Sequence, residues 1–146
     1  MKTVDRTCAI AYSINLLGDK WSLLILRDVI LHKKSKFKEF ISSKEKIATN
    51  ILSNRLKFLV EEGFLEVLDP EGFKKNKQYL ATERGISALP IILELYLFSI
   101  DLIAESELDA SQLKIKKQIT TNRKGFEKRR KKEYLEFIES LKNNLN

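Results

Sequence analysis

The chain has one cysteine, one histidine and two prolines among its 146 residues. Each scarcity closes off a class of protein. A lone Cys8 cannot form an internal disulfide, and it fits a reducing compartment, so the cytoplasm is the expected location. A lone His32, beside Lys33 and Lys34, reads as a solvated side chain, and no Cys/His cluster has metal-ligand spacing, so neither a metal nor another cofactor is expected. No nucleophile motif and no phosphate-cradling glycine loop is present, and with these roles unfilled the chain is not expected to be an enzyme. No apolar run follows the first charged residues as in a secretory leader. The apolar-rich stretch 86–104 is interrupted by Pro90, Glu94 and Asp101, which favours a buried helix over a bilayer span and gives no reason to expect a membrane partner.

Basic charge, in contrast, is abundant. With 27 Lys and Arg against 20 Asp and Glu, the net charge is +7. That excess favours a polyanionic partner without identifying it. The hydrophobic share of 43% is enough for a core that needs neither disulfides nor metal.

Apolar residues recur at helical spacing from Cys8 to Leu31, with a break at Gly18 and Asp19, which predicts two helices with Asp19 capping the second. Phe37, Phe40 and Ile41 mark a short third helix. A fourth runs from about Ala48 to Glu62 and ends at Gly63. Two short strands, 65–68 and 78–81, flank the turn residues 69–72, with Lys74, Lys75 and Lys77 at or near the tip. Thr82 is expected to cap a long fifth helix kinked by Pro90. That helix is apolar all round, so it needs cover on every side. A second subunit is the expected cover, with Ile10, Ile14, Leu93, Tyr96, Leu97 and Ile100 at the interface. Between Lys114 and Lys132 there are ten basic residues and one acidic one, Glu127. Beyond them Tyr134, Phe137, Ile138 and Leu141 resume helical spacing, so residues 105–146 read as a basic helical extension to a domain spanning 1–104.

The expected fold class is therefore mainly α with a small β-hairpin. Its element order is short helix, polar turn, longer helix and basic hairpin, the order that sets one helix in a DNA major groove with a wing beside it. On the fourth helix Leu52, Leu56 and Leu59 form one stripe, and Asn50, Ser53, Asn54 and Lys57 lie roughly opposite. Amide, hydroxyl and ammonium groups are the chemistry that reads base edges and phosphates in double-stranded DNA. Thr49 and Arg55 flank that face, and Arg55 could instead fold back onto Glu62. Lys36, with Lys33, Lys34 and Lys38, could neutralise phosphates.

Several motifs resemble the HxlR-type winged helix-turn-helix regulators. They are Leu17-Gly-Asp-Lys-Trp-Ser-Leu-Leu-Ile-Leu-Arg-Asp28, Phe37-Lys-Glu-Phe40, Ile51-Leu-Ser-Asn-Arg-Leu56, Glu62-Gly-Phe-Leu65, and Tyr79-Leu-Ala-Thr-Glu-Arg-Gly85 followed by Leu89-Pro90. The resemblance runs from about Cys8 to Phe98. It implies a homodimeric transcription factor with its first and fifth helices at the subunit interface and its fourth helix and wing on DNA. The chain departs from the pattern at Cys8-Ala9, where the family often has Cys-Pro, and at Ala48-Thr49, where it often has Ser-Pro. It departs again at Phe73-Lys-Lys-Asn76, which replaces a proline-rich wing.

Two signals stay open at this level. Some similar regulators sense oxidants or electrophiles through a cysteine near the N-terminus, and Cys8 at a helix start beside Arg6 is placed for a lowered thiol pKa, although a buried, inert thiol fits as well. A small-molecule effector near the dimer helices, against Tyr12, Trp21, Tyr96 and Phe98, is the other. The competing reading of the whole chain is a winged-helix interaction module that binds an acidic protein or RNA through charge.

Overall fold

The computed structural model describes residues 7–68 and 77–145. Eight α-helices and one two-stranded sheet are present among them. Helix α1 (Ala9–Leu17) and helix α2 (Ser22–His32) are separated by the Gly18–Asp19 break, as expected. The Asp19 carboxylate does receive orphan amides of α2, those of Trp21 and Ser22, but it does so from three residues before the first helical position. Lys33 ends α2 in the left-handed region, at φ 53°.

Helix α3 (Phe37–Ile41) and helix α4 (Thr49–Glu61) follow. The first turn of α4 has no side-chain cap from Ala48, and Thr49 is already helical. Gly63, at φ 79°, turns the chain out of α4 in a conformation that costs glycine little. Strands β1 (Leu65–Leu68) and β2 (Gln78–Ala81) pair antiparallel, Leu65 opposite Ala81 and Leu68 opposite Gln78. The hairpin tip, including Lys74 and Lys75, lies outside the described residues.

The long kinked fifth helix is replaced by two helices. Thr82 caps a short helix α5 (Glu83–Ile86) by accepting the Gly85 amide, and helix α6 (Leu89–Ser99) then begins afresh. Pro90 falls in the first turn of α6, where its missing N–H goes unnoticed, so it opens a helix and kinks none. By length and composition 83–102 could cross a membrane. In this fold Leu89, Ile92, Leu93 and Ile100 are spent in the core.

Helix α7 (Ala110–Thr121) and helix α8 (Arg123–Asn143) form the C-terminal region. Asp109 and Gln112 cap α7 reciprocally, each side chain taking the other's backbone amide. These helices share the core of the preceding elements. Helix α8 packs on α2 and α6, and its Phe126 and Tyr134 are among the most completely buried side chains of the protein, in one apolar cluster with Leu26, Leu52 and Leu65. The stretch 105–146 thus combines a solvated basic face with apolar residues that complete the interior.

Candidate nucleic-acid interface

Helix α4 has two faces of opposite chemistry. Leu52, Leu56 and Leu59 are at most 1% exposed and point into the core, whereas Thr49, Asn50, Ser53, Asn54 and Lys57 are all exposed. The 3.6-residue period puts these sets on opposite sides, so burying the leucines obliges the polar set to face outward. Helix α3 packs beside α4, with Phe40 buried beneath it.

The loop between α2 and α3 binds the hairpin to this helix pair. The Tyr79 amide donates to the Ser35 carbonyl at 2.8 Å, the Ser35 hydroxyl donates to Gln78 Oε1 at 2.8 Å, and Lys36 makes a bridge to Gln78. Lys36 itself is exposed at the start of α3, and Lys77 is exposed at the base of the hairpin with its ammonium 5.5 Å from the Tyr79 ring centroid. Helix α3, helix α4 and the root of the hairpin therefore form one surface.

Charge on that surface is held by a network that sequence spacing did not reveal. Asp28 is nearly buried, and it pairs with Arg27 at 2.8 Å and Lys34 at 3.5 Å while accepting a short hydrogen bond from the Ser43 hydroxyl. Arg27 also reaches Glu45 at 2.8 Å, and that hydrogen bond outweighs partial desolvation to hold the Glu45 carboxyl below its ordinary range. These contacts tie α2 to the turn between α3 and α4.

Arg55 does not fold onto Glu62. Its guanidinium lies 3.5 Å from the Asp19 carboxylate and stacks 4.5 Å from the Phe58 ring centroid. Desolvation would raise the Asp19 pKa, but the hydrogen bonds from Ser22 and Trp21 and the charge of Arg55 together hold it below its usual value. The carboxylate that caps α2 thus also holds the side chain beside the outer face of α4.

The residues expected at a subunit interface divide. Ile10 and Ile14, one turn apart on α1, are 73% and 63% exposed. Tyr96 and Leu97 are half-buried. Leu93 and Ile100, in contrast, are buried within the subunit at 1% and 5%, because Leu93 on α6 and Ile100 just past its end both face the subunit's own core. The most exposed apolar side chains there are Leu95, Phe98 and Leu102. Tyr12, Trp21, Tyr96 and Phe98 do not converge on a common pocket: Phe98 is 83% exposed, Trp21 borders a small crevice by α3, and Tyr96 lines a different, larger cavity. Cys8 is exposed at the start of α1, where its Sγ accepts the Ala11 amide at 3.4 Å. His32 keeps an exposed edge while it borders that larger cavity. Partial burial and the nearby cations Arg27, Lys34 and Arg130 push its imidazole below the ordinary value, against the pull of Asp28.

A helix pair with an exposed polar second helix, hydrogen-bonded to the root of a β-hairpin, defines a winged helix-turn-helix DNA-binding transcriptional regulator. The chain belongs to the HxlR-like helix-turn-helix family, which matches residues 16–107. Among solved structures it is similar to PA1607, a candidate transcription factor, at 30% identity and a TM-score of 0.63 over 73% of each chain. It is also similar to the reduced transcriptional regulator YodB from B. subtilis, at 26% identity and a TM-score of 0.52, over 63% of this chain and 90% of that one. The reduced form of the redox regulator HypR shares the fold at 21% identity and a TM-score of 0.57, over 64% of this chain and 92% of that one. No curated protein sequence matches the chain. All of α7 and α8 lies beyond the family match.

Proposed function

We propose that the protein reads a pseudo-palindromic operator as a homodimer, with α4 of each subunit in successive major grooves about one helical turn apart. The observation that carries this reading is the outer face of α4, where Asn50, Ser53, Asn54 and Lys57 are all exposed above a stripe of buried leucines. Asn50 and Asn54 pair with base edges, since an asparagine amide matches adenine in a bidentate way. Thr49, Ser53, Arg55 and Lys57 add phosphate or base contacts. Lys36, Lys77 and the hairpin-tip residues Lys74 and Lys75 neutralise flanking backbone. Ile10, Ile14, Tyr96 and Leu97, joined by the exposed Leu95, Phe98 and Leu102, supply the subunit contact. The protein works in the cytoplasm, where its thiol stays reduced.

The experiment is fluorescence anisotropy with the upstream intergenic DNA and a scrambled duplex at one fixed salt concentration. The expected result is a preference for the upstream duplex. Asn54→Ala should erode that preference by about five- to hundred-fold, the worth of one good base contact. Lys57→Ala should weaken both duplexes alike. Equal affinity for both, unchanged by Asn50→Ala and Asn54→Ala, would instead indicate an interaction module driven by charge.

A thiol signal is supported by the exposed Cys8 Sγ at the first turn of α1, the helix that also carries Ile10 and Ile14. Oxidation there, to an intersubunit disulfide or a mixed adduct, would change the dimer contact. Oxidant-dependent loss of operator binding that disappears in Cys8→Ser supports this signal. Identical loss in Cys8→Ser excludes it.

A further inference from the structure

A cavity of about 490 Å³ opens on the side of the subunit where the C-terminal helices close over α2 and α6. Its walls are apolar: Leu24 and Leu31 from α2, Ile92 from α6, Ile115 and Ile119 from α7, and Phe126 from α8. The volume lies within the range of small-molecule sites. The walls from α2 and α6 lie within the family match, whereas those supplied by α7 and α8 fall outside it, so the C-terminal helices complete the chamber.

Two guanidinium groups border it, in different electrostatic states. Arg27 is committed to Asp28 and Glu45, both at 2.8 Å. Arg130 pairs with no carboxylate among the described residues. One of its nitrogens donates to the Leu31 carbonyl at 3.3 Å, and its plane lies 5.0 Å from the Phe126 ring centroid. These contacts hold the group at the cavity wall and leave most of its donors unused. Its positive charge is uncompensated at the edge of an apolar chamber, a setting that favours a counter-ion with an apolar body. The guanidinium fork is matched in shape by a carboxylate.

We propose that this cavity binds a small monocarboxylate with an aliphatic or aromatic body, its carboxylate on Arg130 and its apolar part against Ile115, Ile119 and Phe126. The site goes beyond the DNA-reading role and is measured without DNA, so failure of either leaves the other standing.

The test is isothermal titration calorimetry of the full chain with sodium decanoate, using 1-decanol as the uncharged probe of equal length. Decanoate should bind saturably, one per chain, and about ten-fold or more tighter than the alcohol, as expected for a charge-assisted hydrogen bond. Arg130→Gln should remove most of that preference while leaving the alcohol's affinity unchanged. Ile115→Trp, with folding verified by circular dichroism, should block both probes by filling the chamber. Three results would overturn the proposal: no saturable decanoate binding, as when a second copy of the chain fills the chamber; equal affinities for acid and alcohol; or a preference that survives Arg130→Gln.

Discussion

The Tyr134 hydroxyl accepts the backbone N–H of Ala81 at 2.8 Å inside the core, joining helix α8 to the last residue of the hairpin. Strand β2 is an edge strand whose partner, β1, cannot satisfy this amide, so a side chain from 53 positions away does so.

Removing the hydroxyl should therefore destabilise the hairpin from the opposite end of the chain. Tyr134→Phe should cost about 1–3 kcal/mol, since the Ala81 amide is left buried and unpaired. Tyr134→Ala, which also opens a void, should cost about 3–5 kcal/mol. Urea denaturation followed by circular dichroism gives both values. An unchanged midpoint for the phenylalanine variant would mean that water replaces the hydroxyl.

The same phenol should give the fold an alkaline limit. Burial pushes its pKa from 10.0 up to about 12, with Glu66 adding to the shift and the Ala81 amide opposing it. The folded state prefers the neutral phenol, so this stability is fully present below pH 10 and is lost as pH rises through about 12. The loss is about 3 kcal/mol. Wild type should therefore lose stability more steeply than Tyr134→Phe across that window, whereas parallel curves would count against the assignment.

Asp19 serves both α2 and Arg55. Asp19→Ala should cost about 1 kcal/mol for the lost cap. It should not weaken DNA binding, because Arg55 is then released from a carboxylate that competes with phosphate. Scanning calorimetry reads the first effect and anisotropy the second. Weaker binding would show that Asp19 holds Arg55 in its reading position.

Gly85 admits no side chain. A Cβ there would collide with the Phe64 carbonyl oxygen, and that oxygen is fixed by the Thr82 amide at 3.1 Å. Gly85→Ala should cost about 1–3 kcal/mol, visible as a lower urea midpoint.

His32 should titrate below 6.5 in a proton NMR titration of its ring, because burial and three neighbouring cations favour the neutral imidazole. A midpoint at or above that value would show that Asp28 dominates instead.

Local signals in the sequence survive intact where they are self-sufficient. The leucine stripe of α4, the cap at Thr82 and the positive-φ turn at Gly63 each depend on residues within a few positions of one another, and each stands as expected. Signals that depend on distant partners do not survive as well. Arg55 turns to Asp19 and not to Glu62, a choice set by how α4 meets the turn before α2. An all-apolar helix such as α6 gives no indication of which side its own subunit covers, so Leu93 and Ile100 prove to be interior. The apolar positions of α8 announce a helix, but helical period alone cannot say that Tyr134 reaches under the hairpin. Arg130 was one basic residue in a run of ten, and only the fold separates it from its neighbours.

The order in which a ribosome delivers these parts follows from the position of Tyr134. Helices α2 to α4 and the hairpin emerge early and can form locally, yet the space beneath Ala81 stays open until α8 has been made. Interrupted translation that yields the whole family-matched region without α8 would release a product with an exposed interior, suited to proteolysis rather than to DNA. Completion of α8 is thereby coupled to closure of the core that the earlier elements leave open.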